Sequence, residues 1–234
     1  MKEIIKKRKP AFLIFCLLAV TAVGATIAYF SSQKDFGNEF RVKAPGVAME
    51  EKFNPADHWV PGEEKAKEVW FTNTGQMDML LRFSVDIQWD ETVPHPDRDP
   101  KDVIGLYWYG GEKGGECIRI PARSADGTHS DAAPVGFKQI VQDGRAYFYY
   151  EKVLKAGEST QHTLESVKFA TNLSNDGHNN SDFSDTRLLV TIRGETVLAD
   201  SDAVQEWREL PQIKAVISGD DVIWSTAENE GTTN

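Results

Sequence analysis

The side chains that most often carry catalysis or bind metals are scattered along this sequence. The five histidines form no His-Glu-x-x-His motif, and no two of them lie two or four residues apart. All five fall in or beside segments that read as loops: His58, His95, His129, His162 and His178. The spacing therefore predicts neither a zinc site nor a catalytic site, and it favours a protein that is not an enzyme.

One polar segment resembles the beginning of a calcium-binding loop. Asn172, Ser174 and Asp176 place oxygen-bearing side chains at loop positions one, three and five, and a glycine follows at position six. Position twelve, where such a loop carries a bidentate glutamate, is Phe183, although Asp182 is close enough in sequence to contribute. Calcium is therefore a weak candidate cofactor, and a solvated polar loop is the alternative.

Two aromatic runs have the composition of a sugar-binding platform. Tyr107, Trp108 and Tyr109 form the first, and residues 147–150 (YFYY) form the second. In a strand, however, successive side chains point to opposite faces, so half of each run fills the core and the other half pairs across strands. Core and pairing roles are favoured, and carbohydrate binding is kept as an alternative.

The two cysteines provide no disulfide for an exported protein. Cys16 lies inside an N-terminal apolar segment, and removal of that segment leaves Cys117 alone. No histidine stands in a partner motif, so Cys117 is predicted to be a half-buried strand residue rather than a nucleophile.

The N-terminus has the organisation of an export signal. Five basic residues and one acid occupy residues 1–9, and residues 11–28 carry no charge. Small residues at Thr26 and Ala28 predict a cut between Ala28 and Tyr29. The apolar run is also long enough to span a bilayer, so residues 1–28 are a signal peptide or, alternatively, a membrane anchor.

The charge of the remaining chain excludes some partners. Without residues 1–28, the chain has 21 basic and 35 acidic residues, a net charge of −14. Such a surface repels phosphate backbones and anionic lipids, so no nucleic-acid partner is expected. Contact with a membrane is expected only through the N-terminal segment before cleavage.

Alternating polar and apolar residues dominate after residue 36 and predict an all-β protein. Residues 81–89 place Leu81, Phe83, Val85, Ile87 and Trp89 on one buried face. Asp-Gly at residues 143–144 predicts a tight hairpin. We assign residues 29–43 to an N-terminal strand, residues 44–227 to a β-sandwich domain and residues 228–234 to a flexible tail.

The sequence resembles the TasA/camelysin-like family of exported proteins, which a SipW-type signal peptidase cuts. Four places carry the resemblance: residues 24–31 (GATIAYFS), 38–42 (NEFRV), 60–63 (VPGE) with 69–75 (VWFTNTG), and 190–197 (VTIRGETV) with Trp207 downstream. The resemblance implies a jelly-roll-like antiparallel β-sandwich that Gram-positive bacteria secrete to the extracellular matrix or cell surface.

Some members of this family assemble into biofilm matrix fibres, and for them the resemblance implies that one subunit adds its N-terminal strand to the next subunit, which is another copy or a homologous matrix protein. The donor segment would be residues 29–42, with Tyr29, Phe30, Phe36, Phe40 and Val42 as candidate donor side chains. Two alternatives stay open: a monomeric surface module that binds carbohydrate or protein, and a camelysin-type secreted metalloprotease, which no zinc motif in this sequence supports.

Overall fold

The computed structural model of the chain describes residues 31–36, 46–53, 61–93, 95–122, 132–171, 183 and 186–227. Within these residues the protein is built of antiparallel strands and two short 3₁₀ helices, Pro100–Asp102 and Ala203–Glu206. The predicted all-β class is therefore confirmed. Among the described helices, none is long and apolar enough to cross a membrane. The predicted N-terminal signal or transmembrane helix lies outside the described residues.

The strands form two five-stranded sheets and one hairpin. The front sheet contains, in spatial order, β1 (Ser31–Phe36), β10 (Leu188–Leu198), β4 (Met79–Trp89), β8 (Arg145–Tyr150) and β7 (Phe137–Gln142). The back sheet contains β2 (Val47–Phe53), β3 (Glu64–Asn73), β9 (Leu164–Phe169), β5 (Ile104–Lys113) and β6 (Glu116–Pro121). The C-terminal hairpin consists of β11 (Ile213–Ser218) and β12 (Asp221–Thr226). The chain passes repeatedly from one sheet to the other.

The hairpin predicted at residues 143–144 is present between β7 and β8. Asp143 and Gly144 both adopt positive φ angles, of 47° and 74°. Asp and Gly tolerate this conformation, which a two-residue turn needs in order to match the twist of its strands. The turn fixes the register in which Gln142 lies opposite Arg145.

The main core lies between the front and back sheets. Leu81 and Phe83 of β4 are fully buried, and Val85 and Ile87 pack against the same cluster, so the predicted inward face is confirmed. The Phe83 ring contacts rings from both sheets: Phe71, Trp108, Phe137 and Phe148. These contacts hold the two layers together by burying aromatic surface.

The front sheet is also covered on its outer face. The even-numbered residues Leu80, Arg82 and Ser84 of β4 are as buried as their odd-numbered neighbours. The C-terminal hairpin and the segment before it pack over these residues and form a second apolar cluster around Trp207 and Trp224. The molecule therefore has three layers at this end, with the front sheet in the middle.

Candidate functional site

The predicted donor segment contains an edge strand of the front sheet. β1 pairs antiparallel with β10, from Ser31 opposite Val197 to Phe36 opposite Ile192. It stands at the end of the strand order, with β10 as its neighbour. Of the predicted donor residues, Phe36 belongs to β1. Tyr29, Phe30, Phe40 and Val42 lie outside the described residues, as does the predicted cleavage site at Ala28 and Tyr29.

The strand that receives β1 is held from three directions. β10 pairs with β4 along its whole length, from Leu188 to Leu198. On the inner face, Gly194 lets the ring of Phe71 approach so closely that a Cβ there would lie 2.6 Å from a ring carbon. On the outer face, Glu195 contacts Arg82. A strand fixed in this way offers a preformed edge for strand addition.

Arg82 is the centre of a buried polar cluster behind this edge. Its side chain is 1% exposed. Its Nε donates to Glu195 at 2.6 Å, and its Nη2 donates to both carboxylate oxygens of Glu209 at 2.9 Å. The guanidinium carbon also lies 4.2 Å from the centre of the Tyr147 ring and 4.6 Å from that of Trp207. Arg82 thus joins β4, β8, β10 and the C-terminal segment through charge-assisted hydrogen bonds and cation–π contacts.

The surroundings of the cluster keep its ions charged. Burial alone would lower the pKa of Arg82, but Tyr149 and Glu195 raise it above its ordinary value. Burial would raise the pKa of Glu209, but hydrogen bonds from its own backbone N–H and from Arg82 hold that pKa below its ordinary value. Burial raises the pKa of Tyr149, whose hydroxyl donates to Gln142. Arg82 and Glu209 therefore stay charged, and the phenol of Tyr149 stays neutral.

The structure places the aromatic run at residues 107–109 on both faces of the back sheet. Trp108 is 2% exposed and packs against Phe83 and Phe148 in the main core. Its proposed part in a carbohydrate platform is therefore wrong, because alternation turns it inward. Tyr107 and Tyr109, the flanking residues, are half-buried on the outer face.

A cleft of about 600 Å³ lies on the outer face of the back sheet. Its lining includes Glu64, Cys117, Arg119 and Glu165. Burial first, and then the neighbouring Glu165, raise the pKa of the Cys117 thiol, which disfavours the reactive thiolate. Cys117 lies half-buried in β6, as predicted.

The described residues gather no metal site: no three His, Cys, Asp or Glu side chains among them are arranged to hold an ion. Two histidines are described, and each stacks on a tryptophan. The ring centres of His162 and Trp70 are 5.3 Å apart, and those of His95 and Trp89 are 5.6 Å apart. The candidate calcium ligands Asn172, Ser174, Asp176 and Asp182 lie outside the described residues.

The sequence analysis did not identify the Arg82 cluster, although two features of the sequence are consistent with it. Arg82 stands in the middle of a strand with apolar neighbours on both sides, and Tyr147 and Tyr149 stand two residues apart in β8. Polar side chains at such positions normally face solvent, and only the folded chain shows that a third layer covers them.

Comparison with known proteins gives no relative from which a role could be inferred. No family model and no curated protein matches this sequence.

Proposed function

We propose that the chain is a secreted, non-enzymatic structural protein of the cell surface or biofilm matrix, and that it assembles by adding its N-terminal strand to another subunit. The observation that carries this proposal is the position of β1. The segment predicted to be donated contains a six-residue strand, which has β10 beside it at one end of the front sheet. An edge strand of this kind is held mainly by the ladder to one neighbour, and the same ladder can form with a second copy.

The chain that follows β1 is long enough for exchange. Residues 37–46 separate β1 in the front sheet from β2 in the back sheet. Ten residues span at most about 35 Å when extended. This length allows β1 to leave its own β10 and reach the β10 of a neighbouring subunit, so one strand can close the monomer or join two subunits.

The finer parts of the proposal follow from the same arrangement. Repeated passage of the chain between two antiparallel sheets supports a jelly-roll-like sandwich. The partners are a SipW-type signal peptidase, which would cut before Tyr29 and free the segment that contains β1, and a second copy or a homologous matrix protein, which would receive that segment. The binding-module alternative would have to use Tyr107, Tyr109 and the cleft of the back sheet, without Trp108.

Two proline substitutions test strand addition with a matched control. In an edge strand, consecutive N–H groups point alternately toward the neighbouring strand and away from it. Of Lys34→Pro and Asp35→Pro, therefore, one removes a ladder hydrogen bond and the other does not. We expect one variant to lose filament formation at least tenfold, measured by electron microscopy and light scattering, and the other to assemble almost normally.

Each proline variant serves as the control of the other for introducing proline into β1, and circular dichroism checks that both remain folded. Equal filament yields from the two variants would show that residues 34 and 35 do not act as a strand during assembly, and the proposal would then be abandoned. Wild-type chain cut before Tyr29 provides the reference yield.

A further inference from the structure

The covering layer of the front sheet is built from the C-terminal part of the chain. Residues 199–227, called the strap from here on, contain the 3₁₀ helix Ala203–Glu206 and the β11–β12 hairpin. The hairpin is a sheet of its own, joined to the rest of the described chain by one isolated bridge between Lys152 and Asp221. The strap buries Val204, Trp207, Ile213, Val222 and Trp224 against the front sheet.

The surface beneath the strap differs from the main core. Around Arg82 it presents Gln142, Tyr147, Tyr149 and Glu195, all nearly inaccessible to solvent. Arg and Tyr are enriched in protein–protein interfaces, whereas cores are filled by aliphatic side chains and Phe. The face that the strap covers therefore combines these polar groups with the apolar side chains of Leu80, Val153 and Val197.

Side chains make many of the connections between strap and sheet. Glu209 of the strap accepts two hydrogen bonds from Arg82, and Lys138 donates to the backbone oxygen of Trp224 at 2.8 Å. Gln142 donates to the backbone oxygens of Glu209 and Pro211. Backbone hydrogen bonds add to these. Val153 donates to Asp220 and Val222 donates to Glu151 at one end of the hairpin, and Asp143 donates to Leu210 before the hairpin.

Arg82 has one carboxylate partner in the strap and another outside it. Arg82 binds two carboxylates, but only Glu209 belongs to the strap, whereas Glu195 belongs to β10 of the sandwich. When Glu209 departs, Arg82 keeps a carboxylate partner within its own sheet. Opening therefore avoids the large penalty of a buried charge left without a partner.

We propose that residues 199–227 form a separable strap, latched by the Arg82–Glu209 pair, which opens as a unit while the two-sheet sandwich remains folded. Opening uncovers the outer side of the front sheet, including the outer side of β10. This inference does not depend on strand addition. It concerns the outer face of the front sheet, whereas strand addition concerns the edge of β10 that pairs with β1.

Hydrogen exchange of the complete secreted chain, followed by mass spectrometry, tests the strap. In wild type we expect the amides of β11 and β12 to exchange faster than those of β3 and β9, because opening of the strap alone costs less free energy than unfolding of the sandwich. Glu209→Gln keeps the shape of the side chain and removes its charge, so it should speed exchange in β11 and β12 at least tenfold. Exchange in β3 and β9 should stay within twofold of wild type.

Asp220→Asn is the matched control, because Asp220 also joins the strap to the body through Lys155 but is largely exposed. It should change exchange in β11 and β12 by less than about threefold. The proposal is overturned if strap and sandwich amides share one opening rate in wild type, or if Glu209→Gln accelerates both regions equally. Slow exchange of β3 and β9 in each variant also shows that the variant has folded.

Discussion

Arg82→Ala is expected to lower the free energy of unfolding by about 3–5 kcal/mol, as measured by urea denaturation. The side chain is almost completely buried, and its removal leaves Glu195, itself only 6% exposed, without its guanidinium partner. It also removes the cation that lies between the rings of Tyr147 and Trp207. A buried carboxylate that loses its countercharge costs far more than the hydrogen bonds alone.

Arg187→Ala is the control for this prediction. Arg187 pairs with Asp90 at 2.9 Å, but its side chain is 64% exposed, so its loss should cost less than about 1 kcal/mol. Adding Glu195→Gln to Arg82→Ala should restore part of the stability, because the buried carboxylate that lost the Arg82 cation is then replaced by a neutral amide. Equal losses from Arg82→Ala and Arg187→Ala would contradict the assignment of Arg82 to a buried ionic cluster.

Phe83→Ala is expected to destabilise the sandwich by about 3–5 kcal/mol. Phe83 has no exposed surface, and its ring centre lies 4.8 Å from that of Phe148 and 5.5 Å from that of Phe71. These neighbours belong to different sheets, so the cavity would open between the two layers. Filling this cavity would require a shift of a whole sheet. The expected loss of stability therefore lies in the upper part of the range for large-to-small substitutions in a core.

Ile223→Ala is the corresponding control, since Ile223 is a large apolar residue that is 62% exposed on the C-terminal hairpin. Its removal should change stability by less than about 0.5 kcal/mol. Thermal unfolding of the two variants, measured under the same conditions, compares their losses of stability. A loss below 1 kcal/mol for Phe83→Ala would mean that the main core does not lie between these sheets.

Local patterns predicted much of the sandwich because their physical basis is local. The alternation of residues 81–89 identified the inward face of β4, since period-two burial follows from strand geometry alone. Asp-Gly at residues 143–144 identified the β7–β8 turn, since few other pairs accept its positive φ angles.

The third layer could not be predicted in this way. Whether Arg82 faces solvent or a covering segment depends on contacts with residues more than a hundred positions away, such as Glu195 and Glu209. The 3₁₀ helix Ala203–Glu206 lies directly before Trp207 and Glu209, which contact the front sheet.

The aromatic run at residues 107–109 shows a different limit of sequence reasoning. All three side chains favour β structure. The pattern therefore predicts that alternate residues of the run face inward, but it does not predict which ones. Tertiary packing selects Trp108, which fills the space beside Phe83 and Phe148. The choice was set by the residues of the opposite sheet and not by the run itself.

Disulfide trapping between two different chains tests strand addition most directly. Asp35 and Arg193 are directly opposite one another across β1 and β10, within the Cα separation that a disulfide spans. One chain, produced from Tyr29 onward, would carry Asp35→Cys and the other Arg193→Cys, each with Cys117→Ser to remove the remaining thiol. Ser31→Cys in place of Asp35→Cys, four residues out of register, is the control.

Strand addition between subunits predicts that mixing the two chains under assembly conditions gives a disulfide-linked dimer containing one chain of each kind, and that the Ser31→Cys control gives little of it. If the mixture stays monomeric while a single chain bearing both cysteines closes an internal disulfide, β1 serves only its own subunit and the proposed assembly is contradicted.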